Sequence, residues 1–296
     1  MKAAIALLLA VLSSTICFPQ QATPNPKSVI FALLHSGSTL EPIAYFDGEE
    51  LTGALDGAQE PDVLTTFHGR YFKPKTPYQL VFGGANAGTV TVKSSDPNLE
   101  CERHTAKAIV ASSPVKFRGS IMALATSSAI KATGSVVRRA PTPLERSEIE
   151  ELVREELVKN KVSPAVSRKL RSRNLTAVDV DKDDIVEFVG SYWVQPTPKS
   201  RSLLFFIAEK DSTEYRIVLS NFGTVKEEDT MSNDITSVDT GVGHELLLDV
   251  LDYDENGTAE IFTYEASFEG AGFNVYGRQG GKWKLVFETV NYRCGF

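Results

Sequence analysis

The sequence predicts a mainly β protein with a helical connector (α+β). An N-terminal β-rich domain is expected over 28–133, a linker and helical connector over 134–173, and two four-stranded antiparallel repeats over 174–296. Three observations carry this reading. Short apolar segments with period-two alternation, bounded by Gly, Asn, Asp and Ser, recur in both halves. One strong amphipathic helix signal lies between them. One acidic loop pattern occurs twice, from Asp179 and from Asp252, each time between β-prone segments.

The chain opens with Lys2, an apolar run over 3–12 and then small residues. This reads as a secretory signal over 1–22, too short to span a bilayer. Cleavage is expected after Cys17 or after Ala22; Ile16 argues against a lipoprotein, and an uncleaved anchor is the alternative. Residues 23–27 are Pro-rich and read as loose. Strands are expected over 29–34 and 42–46, around Ser36-Gly37-Ser38, and a short helix over 62–72. Residues 78–82 and 89–92 alternate, with a hairpin signal over 83–88. Further strands are expected over 106–111 and 120–126.

Gly134, Arg138, Arg139 and Pro141 mark an exposed linker. Thr142 is then a good N-cap, Pro143 suits the first helical position and Glu145 completes a capping box. Glu148, Glu150 and Glu151 crowd the first half of this helix and Lys159 and Lys161 its end, as the macrodipole favours. Ile149, Leu152, Val153 and Leu157 form its apolar stripe. Ser163-Pro164 opens a second short helix ending near Arg173, so Arg168, Lys169, Arg171 and Arg173 read as a solvated helix end rather than an anion site.

The first repeat, 174–222, has strands over 175–178, 185–194, 203–209 and 215–219, with a turn at 210–213. The second, 244–290, has strands over 246–251, 261–268, 273–276 and 283–287, with Gln279-Gly280-Gly281 as its turn. Aligning Asp179 with Asp252 also aligns Val178 with Leu251, Glu187 with Glu260 and Phe188 with Ile261.

The 296 residues suffice for one or two domains, and 42% hydrophobic content for a sizeable core. With 38 Asp and Glu against 31 Lys and Arg, the chain is a poor nucleic-acid binder, since phosphate recognition needs clustered positive charge. No later segment is apolar enough to span a membrane. Removing the signal leaves Cys101 and Cys294, expected as a disulfide in an oxidising compartment, with two buried thiols as the alternative.

Both loops place oxygen-bearing side chains at positions 1, 3, 5 and 9: Asp179, Asp181, Asp183 and Glu187, then Asp252, Asp254, Asn256 and Glu260. Hard cations such as Ca²⁺ are held by such oxygen clusters. In the second loop Thr258 would add its backbone carbonyl, and Gly257 permits the positive φ of a sharp turn. In the first, Asp184 stands at that position. An EF-hand needs flanking helices and Glu at position 12, so strand–loop–strand is the better reading. The alternative is an ion-free Asp/Asn/Gly turn.

Asp-x-Asp-x-Asn-Gly-x-x-Glu between strands, repeated, resembles the FG-GAP/VCBS-type repeats of integrin-α-like β-propellers. The resemblance covers roughly 174–290. It implies calcium ligands at Asp252, Asp254, Asn256, Thr258 and Glu260, and at Asp179, Asp181, Asp183, Ile185 and Glu187, each loop at the edge of a four-stranded blade. Glu closes both loops where Asp is usual in that family. Only two units are present, whereas a closed propeller takes about four to eight blades; two blade-like sheets or one continuous sheet are expected instead.

No catalytic motif accompanies these loops. His35, His68, His104 and His244 occur singly, without zinc spacing. Ser128-Ala129-Ile130-Lys131 lacks its companion motifs, and 83–88 lacks the Lys-Ser/Thr of a phosphate loop. Glu49-Glu50 has no evident partner. Tyr192, Trp193, Tyr264, Phe268 and Phe273 are core residues by default and a sugar- or protein-binding face otherwise. The expectation is a secreted or periplasmic, non-catalytic, calcium-stabilised binding or structural protein with a protein or carbohydrate ligand. The rival is a secreted hydrolase with its site in the N-terminal half or at the domain interface.

Overall fold

The computed structural model describes residues 28–55, 60–119, 121–127, 130–132, 137–231 and 233–294. The predicted signal segment, the Pro-rich stretch, Ser128, Ala129 and linker residues 133–136 lie outside the described residues.

The N-terminal domain is a closed antiparallel barrel. Its elements are β1 (Ser28–Leu34), β2 (Thr39–Phe46), β3 (Leu51–Gly53), α1 (Pro61–Tyr71), β4 (Pro77–Phe82), β5 (Ala85–Ser95), β6 (Ala106–Ser112) and β7 (Ala123–Thr126). The order β1-β7-β4-β5-β6-β2 closes because β1 also pairs with β2, while β3 hangs on β2. Closure leaves no unpaired ring edge. Val29, Phe31 and Leu33 face the barrel interior with Leu40, Leu80, Val90 and Val92. Ile30, Ala32 and Leu34 face outward into a second core. Burial on both faces explains why β1 is a continuous apolar run. Helix α1 plugs the barrel with Leu64, Phe67 and Tyr71. The β4–β5 turn is Gly83-Gly84, with φ of 63° and 71°, as a tight primed hairpin requires. Gly88 lies inside β5, not in the turn; a Cβ there would sit 1.6 Å from the Ser112 carbonyl oxygen.

The connector departs from expectation at both ends. Arg138–Arg139 form a short strand, β8, paired with β9 (Arg171–Val178). Arg138 is nearly buried and bonds the carbonyls of Met122 and Leu248 and the Asp249 carboxylate. It is a structural cation, not part of an exposed linker. Helix α2 (Pro143–Lys159) carries the expected capping box between Thr142 and Glu145. Helix α3 is only Pro164–Ser167. The basic run does not close a helix: Arg171 and Arg173 already belong to β9. Arg171 lies over the Trp193 ring, and Arg173 donates to the carbonyls of Asp239 and Thr240.

Two antiparallel sheets follow. The first is β12-β11-β10-β9-β8, adding β10 (Glu187–Thr197), β11 (Ser200–Asp211) and β12 (Glu214–Lys226). After α4 (Thr236–Thr240) comes the second, β13 (Glu245–Leu251), β14 (Glu260–Ala266), β15 (Gly270–Gln279) and β16 (Lys282–Tyr292), in sequence order. These are the two predicted four-strand meanders, and they do not form a propeller.

The layers stack as barrel, second sheet, first sheet, helix α2. Leu248, Leu251, Phe262 and Val275 of the second sheet pack on the barrel's outer face. Leu247, Val250 and Ile261 on its other side meet Val178, Val189, Phe205 and Ile207 of the first sheet. The far side of the first sheet, with Phe188, Leu204 and Phe206, covers Ile149, Val153 and Leu157 of α2. Cys101 and Cys294 form a disulfide that ties the barrel's β5–β6 loop to the chain beyond β16. Beside it, Arg293 and His104 both bond the fully buried Glu41. Among the described residues no helix is long and apolar enough to cross a membrane.

Candidate metal centres

The acidic loops are two copies of one conformation. Val178 pairs with Glu187 across β9–β10, and Leu251 with Glu260 across β13–β14, so each loop is closed at the same register. Positions 4 and 6 take positive φ in both: Lys182 at 63° and Asp184 at 66°, Glu255 at 59° and Gly257 at 94°. The position-1 carboxylate accepts the position-6 amide, Asp184 to Asp179 at 3.3 Å and Gly257 to Asp252 at 3.1 Å. The position-5 side chain accepts the position-7 amide, Ile185 to Asp183 at 2.8 Å and Thr258 to Asn256 at 2.9 Å. Asp adopts the left-handed region less readily than Gly, yet Asp184 does so here.

This geometry gathers Asp179, Asp181 and Glu187 in one cluster and Asp252, Asp254 and Glu260 in the other. One carboxylate oxygen from each residue lies within 4.8 Å of the others in its cluster. Both clusters can hold a metal ion. Asp183 stands outside the first triplet, turned to the Ile185 amide, and the Ile185 side chain is exposed. Asn256 spends its amide nitrogen on Asp254 at 2.9 Å. The loops also touch: the Ala259 amide donates to the Val180 carbonyl at 2.7 Å.

The clusters differ in how their charge is answered. In the first, Arg278 of β15 donates to Asp181 at 2.6 Å, bonds Glu209 and lies 3.8 Å from Glu187. Trp283 fixes Glu209 through its indole N–H at 2.7 Å. Burial still raises Glu187 to about 7 despite this guanidinium. In the second, Glu260 is only 5% exposed, and neither its Oε2 nor Asp252 Oδ1 has a hydrogen-bond partner. Burial, then the Asp254 and Asp252 charges, pushes Glu260 up to about 8, and burial also raises Asp252. A buried carboxylate with an unanswered oxygen is costly unless a cation or proton meets it. A divalent ion fits this donor set of hard oxygens.

Other polar clusters escaped the sequence reading. Glu245 is buried between the two sheets and accepts from Thr263, Asn274, Tyr276 and Asn221 at 2.7–3.0 Å. Its cross-strand neighbour Glu265 is raised by burial and by the Glu245 charge to about 7. Asp249, fully buried, accepts from the Gly83 amide and Arg138. One signal was present: single acids inside apolar strands, as in Leu248-Asp249-Val250. Their partners come from distant segments.

The histidines do not converge on a cleft. His35 is exposed; His68 and His244 bond backbone carbonyls in the core, and His104 is sealed against Glu41. Of the candidate surface aromatics, Tyr192, Trp193 and Phe273 are core residues, and Tyr264 and Phe268 are half-buried. No protein-family model, no curated protein and no solved structure matches this chain.

Proposed function

We propose that this is a secreted, non-catalytic, calcium-stabilised binding or structural protein, with Ca²⁺ in the second acidic loop. One observation carries the reading: Glu260 is buried, its Oε2 has no partner, and Asp252 and Asp254 crowd the same point. Ca²⁺ accepts six to eight oxygens in flexible geometry, whereas Mg²⁺ demands near-ideal octahedra and keeps its waters. Asp252, Asp254 and Glu260 would hold the ion, with Asn256 and the Thr258 carbonyl as further oxygens. The bound ion would keep Glu260 ionised and hold the loop against the sheet.

The first loop is the weaker site on this reading, because Arg278 already supplies its positive charge. The calcium loops of FG-GAP/VCBS-type repeats supply a similar ligand pattern, with Asp usual where Glu187 and Glu260 close these loops. The disulfide and the predicted signal segment support an oxidising compartment. The ligand proposed is a protein or a carbohydrate.

Calorimetric titration of the chelator-stripped protein with Ca²⁺ is the test. One site is expected, with affinity on the order of 10⁻⁴–10⁻³ M as in extracellular modules. Asp252→Ala with Asp254→Ala should abolish it. No binding by the unaltered protein would overturn the proposal.

A further inference from the structure

The second loop is built against the barrel, not only within its own sheet. Tyr253, at position 2 of the loop, packs edge-on to Phe46 at the end of β2, with ring centroids 5.0 Å apart. The chain then turns through Asp47-Gly48-Glu49-Glu50 into β3. Asp47 Oδ1 accepts the amides of both Glu49 and Glu50 at 3.0 Å, which sets that turn. Between turn and loop lies a cavity of about 450 Å³, lined by Glu49, Glu50, Asp254, Asn256, Glu260 and Arg278 among others. Glu260, 5% exposed and with Oε2 unpartnered, forms part of this lining.

With each carboxylate monodentate, the loop offers Ca²⁺ five oxygens, from three carboxylates, the Asn256 side chain and one backbone carbonyl, which leaves coordination positions for further oxygens among the six to eight the ion takes. Two exposed glutamates from another module face the same cavity. We infer that the ion is shared across the module boundary: Glu49 and Glu50 of the β2–β3 turn complete its shell, so that calcium clamps the barrel to the second sheet. The inference rests on the calcium reading of the second loop. Calcium would then tighten the barrel–sheet contact already made by Phe46 and Tyr253. The competing arrangement pairs Glu49 or Glu50 with Arg278, which lines the same space.

The test compares the full chain with Glu49→Gln/Glu50→Gln by calcium titration, and follows amide exchange over residues 48–53 with and without Ca²⁺. Both residues are exposed, so the variant should melt like the unaltered protein in chelator. Calcium affinity should fall about tenfold or more, by analogy with lost shell partners at other metal sites. Calcium should slow exchange in the turn of the unaltered protein and not of the variant. Unchanged affinity with unchanged exchange would overturn the clamp while leaving the loop site intact. No binding by either protein would overturn both. A variant that loses stability in chelator while keeping its calcium affinity would assign the glutamates to Arg278 and overturn the clamp.

Discussion

Replacing Arg278 with Ala tests whether the first loop is held together by a built-in cation. The guanidinium meets Asp181, Glu187 and Glu209, whose side chains are 24%, 6% and 21% exposed. Removing one partner of a fully buried pair costs about 3–5 kcal/mol, and exposed pairs contribute about 0–1. Partial exposure places this cluster between those limits, at about 2–3 kcal/mol. For a chain of this size that corresponds to a fall in Tm of about 4–12 °C. The loss arises because three carboxylates remain close together with Glu187 already raised by burial. Thermal melts by circular dichroism in chelator give the first measurement. In Ca²⁺ the variant should regain part of the loss, and titration should show a second site, because an ion can replace the guanidinium. An unchanged melt in chelator would refute the argument that Arg278 neutralises the cluster. A loss that calcium does not relieve would refute the equivalence of the two loops.

Three further outcomes follow from the same structure. At about 10 mM Ca²⁺, binding on the order of 10⁻⁴–10⁻³ M stabilises by about 1.4–2.7 kcal/mol, a Tm rise of about 3–11 °C by scanning fluorimetry that Asp252→Ala with Asp254→Ala removes. Cys294→Ser opens a loop of 193 residues, worth about 5 kcal/mol in the chain-entropy account, and should lower the urea midpoint of the oxidised protein to that of the reduced one. Burial holds His244 neutral, pushed down to about 4 from 6.5. The unfolded chain therefore binds the proton first, and stability falls as pH drops from about 6.5 to about 4, by up to about 3 kcal/mol. Urea midpoints of His244→Gln should show a flatter acid limb than those of the unaltered protein.

Much of the architecture was legible because it is local. Residues 142–145 specify the start of α2 through hydrogen bonds that span three positions, and the capping box forms as read. The hairpin at Gly83-Gly84 follows from two residues that tolerate positive φ. Where local signals competed, boundaries moved. The basic run after Ser163 suits a helix end, but pairing with β10 draws Arg171–Val178 into a strand. Arg138 and Arg139 lie among turn residues, but Asp249 and Glu145 give them buried and half-buried partners.

By itself the sequence determined the two acidic loops, their shared flanks and the strands around them. Their conformation depends on Asp, Asn and Gly within nine positions, where side-chain oxygens meet nearby amides. It also left Cys101 and Cys294 as the one pair beyond the predicted signal. Only the tertiary structure decided that the first six long strands close into a ring, that Arg278 reaches the first loop, and that the second faces Glu49 and Glu50 of another module. Those contacts join residues far apart in the chain, and no periodicity or spacing encodes them. They arise when apolar faces of the barrel and two sheets stack and carry their polar rims into register.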